Sequence, residues 1–406
     1  MKIAITCLTQ NGYHMATQIV KQLREDTAAT IFVTSRCYDS ITVDSELGKY
    51  VQIINDDIGL KKTFQSKFHE YNHWTMIMSL GIVFRMAPTV LIDKFSDPSI
   101  TVIDDAGQFA VAVCSGHWGG GNEFTKYIAT IINAVPVITT GTDTWMLPAV
   151  DVIAKNINTR ISRDTVLAIN SAIIHRMPVY FWSDWEADVL LDAYCQFNQH
   201  EHIHFTKIIY HQNHHPTVTK LVKDSSNGVN CGKYREPIHV IITNSNHNLL
   251  LNSNIKELLI DKNLNSNYYI LTPRNIILGI GCKRNTPADM IEQCILDACH
   301  QANVSIDSVR AIASIDLKQD ELGIQYVAEK YNCSFLTVTK EQILVWEQHH
   351  EGKFSKSQQV KDKVGVNCVC EPAAMIVANQ GKVILPKTIY KGVTIALVEE
   401  KFGLLA

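Results

Sequence analysis

Residues 112–124 read AVCSGHWGGGNEF. Four glycines, a histidine and an acid stand between two apolar segments. To the left, QFAVAVC (108–114) has the composition of a buried strand. To the right, NEFTKYIATIINAV (122–135) sets Phe124, Tyr127, Ile128, Ile131, Ile132 and Val135 at helical spacing. The insert therefore predicts a strand-to-helix turn. Gly116, Gly119, Gly120 and Gly121 allow positive φ and leave backbone N–H groups uncovered. The helix that follows points its positive end at whatever sits over them, which describes an anion site. A plain tight turn rarely needs more than one or two glycines. His117 and Glu123 flank the same turn and add acid–base chemistry to it.

Working outward, the first third alternates strands and helices. KIAITCL (2–8), TIFVTS (30–35) and HWTMIMSL (73–80) read as strands. Ala16, Ile19, Val20 and Leu23 line one face of a helix, and GLKKTFQSKFHEY (59–71) predicts another. SITVIDD (99–105) and QFAVAVC predict a hairpin joined at Ala106–Gly107, and VPVITT (135–140) closes the region. This is α/β organisation with a largely parallel sheet. Ligands in such sheets sit at the carboxyl ends of strands. The glycine turn, SLGIVFR (79–85) and TTGTDT (139–144) are all expected there.

Beyond Pro148 a helical stretch carries Ile153, Ile157, Ile161 and Leu167 among its apolar positions, and PVYFW (178–182) reads as a strand. The composition changes from about residue 186. His200, His202, His204, His211, His214 and His215 are followed by many asparagines and serines. HEHIH (200–204) alternates, so a strand would put three histidines on one face. No carboxylate or cysteine constellation accompanies them, so a polar edge strand is favoured over a metal site. NHNLLLNSNIKELLIDKNLNSN (246–267) reads as a surface insert or linker. At NIILGIGCKRNTPADMIEQCILDA (275–298) the α/β pattern restarts. A strand ends at Ile280, Gly281, Cys282, Lys283 and Arg284 make a turn, and a helix opens near Thr286 or Pro287. VRAIASI, SFLTVT and KVILP are further strands, and CEPAAMIVANQ a short helix. The expected architecture is multi-domain α/β. An N-terminal Rossmann-like parallel-sheet domain spans 1–145, a variable middle domain and linker 146–270, and a separate C-terminal α/β domain 271–406.

The whole chain bounds the function. It has 406 residues, 46% hydrophobic and 19% charged, a globular composition too long for one ordinary core. A net charge of −3 gives no electrostatic case for nucleic acid. No apolar run is long enough to cross a bilayer, and the N-terminus lacks the pattern of a secretory signal. Eleven scattered cysteines without CxxC spacing fit a reducing cytoplasm. Cys368 and Cys370 form a CxC pair without a second pair nearby, read as buried thiols rather than a metal site. LGIGCKR lacks the third glycine of a dinucleotide fingerprint, and the glycine turn lacks the lysine of a P-loop.

Taken together, SLGIVFRMAP, KFSDPSITVIDDAGQFAVAVCSGHWGGGNEF and PVITTGTD resemble the N-terminal region of the cobalt-precorrin-5A hydrolase family, CbiG, of anaerobic cobalamin biosynthesis. ILGIGCKRNTP, ASIDLKQDELGI and VCEPAAM resemble that family's C-terminal domain. The resemblance covers nearly the whole chain and is weakest between 190 and 270. It implies a cytoplasmic hydrolase acting on a cobalt-bound contracted tetrapyrrole that carries a δ-lactone. Water opens the lactone, the two-carbon fragment leaves as acetaldehyde, and cobalt-precorrin-5B remains. It implies no cofactor beyond the cobalt that the substrate carries, no protein-bound metal, and only transient contact with other enzymes of the pathway.

The residues fit that chemistry. Lactone hydrolysis needs an activated water and a stabilised oxyanion. His117 is the leading base, because its ordinary pKa suits work near neutral pH. N–H groups around Gly119, Gly120 and Gly121 could hold the oxyanion or a substrate carboxylate, with Gly116 and Ser115 in the same turn. Glu123 could orient His117 or act in its place. Asp104 and Asp105 are candidates for a second acid or base in fragment loss. Arg85, and Lys283 and Arg284 beside Gly281, are placed in turns after strands, where cations reach substrate carboxylates. Thr140, Thr142 and Asp143 could hydrogen-bond substrate or cap the next segment. Glu371, before Pro372, either acts or complements a helix end. Two other functions stay open at this point: a non-catalytic corrinoid carrier, and an unrelated α/β enzyme holding a phosphorylated substrate at the glycine turn.

Overall fold

A computed structural model describes residues 1–185 except 25 and 44, residues 202–207, 209–210, 216–217 and 237–246, and residues 268–401 except 353 and 380. The expectations for His200, His211, His214, His215 and most of 246–267 lie outside the described residues. Contacts divide the chain into two compact units, Met1–Met146 and Leu147–Ala406.

The first unit is built on β1 (Lys2–Cys7), α1 (Gln10–Gln22), β2 (Ala28–Thr34), α2 (Ser35–Tyr38), β3 (Val51–Ile54), α3 (Gly59–Lys67), β4 (His73–Ile77), α4 (Leu80–Met86), β5 (Ser99–Ile103), β6 (Phe109–Cys114), α5 (Gly121–Ile132), β7 (Val135–Val137) and α6 (Gly141–Thr144). Its seven strands lie in the order β3-β2-β1-β4-β5-β6-β7. Alternation along β1 sends Ile3, Ile5 and Cys7 to one face, packed with the buried sides of α1 and α5. Ala4 goes to the other, where Phe32, Phe64, Phe68, Trp74 and Met76 form the second core layer. Trp74 is 1% exposed and satisfies its indole N–H on the Phe68 carbonyl at 3.0 Å.

β1 to β5 run parallel, whereas β6 runs antiparallel to β5 through the hairpin at Gly107, whose φ is +69°. β7 is parallel to β6. Cys114, at the end of β6, therefore pairs with Ile100 near the start of β5. The glycine turn and TTGTDT lie at the carboxyl ends of their own strands, but at the amino edge of β1, β4 and β5. SLGIVFR and Asp104–Asp105 lie at the opposite edge. All three segments thus follow the carboxyl ends of their own strands as expected, and the hairpin, which reverses chain direction, divides them between the two edges of the sheet. Val135, counted with the α5 helix, belongs instead to β7, because Asn133 ends α5 in a left-handed conformation.

In the second unit the helical stretch after Pro148 is two helices, α7 (Val150–Asn156) and α8 (Arg163–Ile174). Ser162 caps α8 by accepting from the Thr165 N–H. Ile153 and Ile157 are buried, but Leu167 is 54% exposed and lies off the apolar face. β8 (Val179–Ser183) and β9 (Ile203–Lys207) belong to a four-stranded parallel sheet in which β9 is an edge. There His204 stacks on Tyr180 at 4.7 Å and His202 Nε2 lies 3.0 Å from the Ile173 carbonyl. Residues 276–399 form a separate five-stranded mixed sheet, with the strands Ile276–Gly281, Val309–Ile315 and Ser334–Val338 parallel and Lys382–Tyr390 and Val393–Glu399 antiparallel. Cys368 and Cys370 are fully buried beside it. No helix among the described residues is long and apolar enough to cross a membrane.

Candidate active site on the glycine turn

The turn between β6 and α5 is held by its own backbone. Ser115 takes a left-handed φ of +52° and Gly120 one of +69°. The Gly120 N–H donates to the His117 carbonyl (2.9 Å), Gly121 N–H to Ser115 O (3.1 Å), and Asn122 N–H to Gly116 O (2.9 Å). Two of the three N–H groups expected to meet an anion are thus engaged inside the turn. That of Gly119 has no partner among the described residues. The close packing requires glycine. A Cβ on Gly119 would stand 2.7 Å from the Ser115 carbonyl oxygen, and one on Gly121 2.8 Å from Ser99 Cβ.

His117 is brought against TTGTDT. Its Nε2 lies 2.5 Å from Asp143 Oδ2 and 3.2 Å from Thr142 Oγ1. Asn122, 3% exposed, donates from Nδ2 to Asp143 Oδ2 (3.0 Å) and to Thr140 Oγ1 (2.9 Å). Lys126 Nζ stands 3.8 Å from Asp143 Oδ1. Burial acts to raise the Asp143 carboxyl, but the hydrogen bond and charge of His117, with Lys126 and Asn122, outweigh it and hold the group below the ordinary carboxylate value. A carboxylate here accepts the Nε2 proton of His117. A histidine oriented by a fixed carboxylate, itself held by a buried amide, is an arrangement that can do general-base chemistry.

Beside the turn a cleft of about 480 Å³ opens at the amino edge of β4 and β5. Trp118 and Gly119 form one wall, and Asn72, His73, Phe95 and Asp97 belong to the others. Phe95 meets Trp118 edge-to-face at 5.5 Å. The His73 ring is held by Ser99 Oγ at 2.5 Å from its Nδ1 and by stacking on Phe124 at 4.2 Å.

The structure places Asp104, Asp105 and Arg85 away from this constellation. Asp104 caps the hairpin, accepting from Phe109 N–H (2.6 Å) and Ala106 N–H (3.2 Å). Asp105 accepts from Thr9 Oγ1. Both stand at the opposite edge, across the five residues of β5, or about 16 Å at the usual strand rise. Arg85 is not in a turn but in the last turn of α4, exposed, with its guanidinium beside Gly81. Glu123 is exposed in the first turn of α5, at the helix's positive end. Ser115 is buried beneath the turn, its Oγ without a hydrogen-bond partner among the described residues.

In the second unit, Gly281 ends its strand and accepts from Thr394 Oγ1 at 3.0 Å. Lys283 is exposed, and its carbonyl accepts from Thr286 Oγ1. Arg284 is not a free cation: it makes a bidentate pair with Asp320 (3.0 and 2.5 Å) and bonds the Leu317 carbonyl. Glu371 is 5% exposed and accepts from the Lys387 N–H at 3.0 Å. Nothing in the sequence alone singles out Asn122 or Asp97. Both lie inside quoted motifs, GGGNE and SDP, but their signal is a buried polar side chain, which appears only in the fold.

Residues 62–143, spanning this constellation, match the family described as cobalamin synthesis G N-terminal, and residues 276–398 match cobalamin synthesis G C-terminus. The chain belongs to the CbiG family. A cobalt-precorrin-5A hydrolase of Salmonella typhimurium is 28% identical to it over 97% of both chains. One of Priestia megaterium is 26% identical over 97% of this chain and 94% of its own. The N-terminal CbiG match begins within α3 and ends at Asp143, the partner of His117.

Proposed function

We propose that this chain opens the δ-lactone of cobalt-precorrin-5A with water and releases the two-carbon fragment as acetaldehyde, leaving cobalt-precorrin-5B. The observation that carries this reading is the His117–Asp143 pair, built on a glycine turn whose Gly119 N–H stands uncommitted at a cleft. His117 takes a proton from water as the oxygen attacks the lactone carbonyl. Asp143 fixes the ring and offsets its developing charge. The Gly119 N–H is the donor for the oxyanion, and the lactone alkoxide leaves as an alcohol. Cobalt arrives within the substrate, and the reaction asks no cofactor of the protein. The described cysteines are all unpaired, which suits a cytoplasmic site of action.

The test is anaerobic incubation with cobalt-precorrin-5A, trapping aldehyde and weighing the corrinoid. Wild type should yield acetaldehyde. His117→Ala should bind corrinoid and turn over about 10²–10⁴-fold more slowly, the usual share of a positioned base. Corrinoid binding without turnover by wild type would instead make the chain a carrier.

A further inference from the structure

Resting on the lactone-hydrolase reading, we infer that Asp97 is the base of the reaction's second half, taking the hydroxyl proton as the two-carbon fragment departs. Opening the lactone is only half the chemistry. It leaves an alcohol on the carbon to be expelled, and expulsion as an aldehyde requires a base for that O–H. The expected bases for this step, Asp104 and Asp105, are committed elsewhere and stand at the wrong edge.

Asp97 lines the cleft together with Trp118 and Gly119 of the glycine turn. It is 7% exposed. Its Oδ2 accepts from the Ile92 N–H at 2.8 Å, which fixes the carboxylate. Its Oδ1 is buried and has no hydrogen-bond partner among the described residues. Of the lining residues, Asp97 alone carries such an oxygen. A buried carboxylate oxygen left without a donor is costly. A ligand hydroxyl entering the cleft supplies the missing donor. His73, the neighbouring alternative, is engaged with Ser99 and stacked on Phe124.

The step balances without a co-reactant. The hydroxyl proton passes to Asp97 Oδ1. The O–H pair becomes the second bond of the aldehyde C=O, and the bond from that carbon to the macrocycle breaks. Its electron pair enters the conjugated ring system, and the ring takes up a proton in return. The cleft, about 480 Å³, has room for a two-carbon fragment against the Phe95–Trp118 wall.

The experiment is Asp97→Asn, run anaerobically with cobalt-precorrin-5A beside wild type and His117→Ala. Asparagine keeps an oxygen to accept from Ile92 and removes the base. The readout is the ratio of ring-opened acid, one water heavier than substrate, to trapped acetaldehyde. In Asp97→Asn the opened acid should accumulate at near the wild-type rate, with aldehyde release slowed about 10²-fold or more. His117→Ala should show neither product at speed. Aldehyde keeping pace with opening in Asp97→Asn overturns the assignment. So does equal loss of both steps, which would make Asp97 only the anchor of the 92–97 loop. Wild type that opens no lactone overturns the functional reading and this assignment with it.

Discussion

At the scale of single residues, the site depends on a histidine bound to a carboxylate that stands 26 positions away. His117 was legible in the sequence because a histidine inside a glycine turn has few structural uses. Asp143 was legible only as a polar residue in a turn. Its pairing with His117 needs the crossover from β6 through α5 to β7, which no local pattern encodes. Asp143 also has a pH signature. Its folded pKa lies below the ordinary carboxylate value, so its contribution is present above that value and is lost as pH falls through the folded one. Asp143→Asn should cost about 1–3 kcal/mol at pH 7, the usual loss for a hydrogen bond to a charged group. The gap between variant and wild type should close on acidification below about pH 4. Urea midpoints across pH check this, and a pH-independent gap would refute it.

At the scale of elements, the glycine turn works because its backbone is closed on itself and pressed against the start of β5. Gly119→Ala should displace the turn, since its Cβ would meet the Ser115 carbonyl oxygen at 2.7 Å. Misplacement on that scale costs about 10²-fold in turnover. Gly121→Ala, meeting Ser99 Cβ at 2.8 Å, should cost about 1–3 kcal/mol of stability, as overpacking does. Gly81→Ala is the control: its Cβ would find only the ends of Arg85 and Ser79, at 3.7 Å or more. Kinetics and thermal melts of the three separate these outcomes. The strand–turn–helix order was legible because apolar periodicity changes on either side of the insert. The split of the 150–174 stretch into two helices was not, because its apolar spacing runs on past the Ser162 cap.

At the scale of the whole molecule, one hairpin decides which residues share an edge. The sequence showed the β5–β6 hairpin at Ala106–Gly107, and a tight hairpin joins antiparallel strands. Its consequence lies beyond local reading: everything after β6 changes edge relative to β1, β4 and β5. His117, Asn122, Thr140, Thr142 and Asp143 converge at one edge, and Asp104, Asp105 and α4 fall at the other. Asp105→Asn should therefore leave lactone opening within about threefold of wild type, a change of under 1 kcal/mol in the barrier. A loss as deep as that of His117→Ala, measured by mass analysis of the corrinoid, would put the chemistry at the wrong edge.

The most direct test of the His117–Asp143 pair is a double-mutant cycle on lactone opening, with His117→Ala, Asp143→Asn and the two combined. Residues that act as one unit lose most of the rate on the first substitution and little more on the second. The double variant should open the lactone about as slowly as His117→Ala alone. Losses that multiply, or full activity in either single variant, would contradict the pair as the catalytic unit.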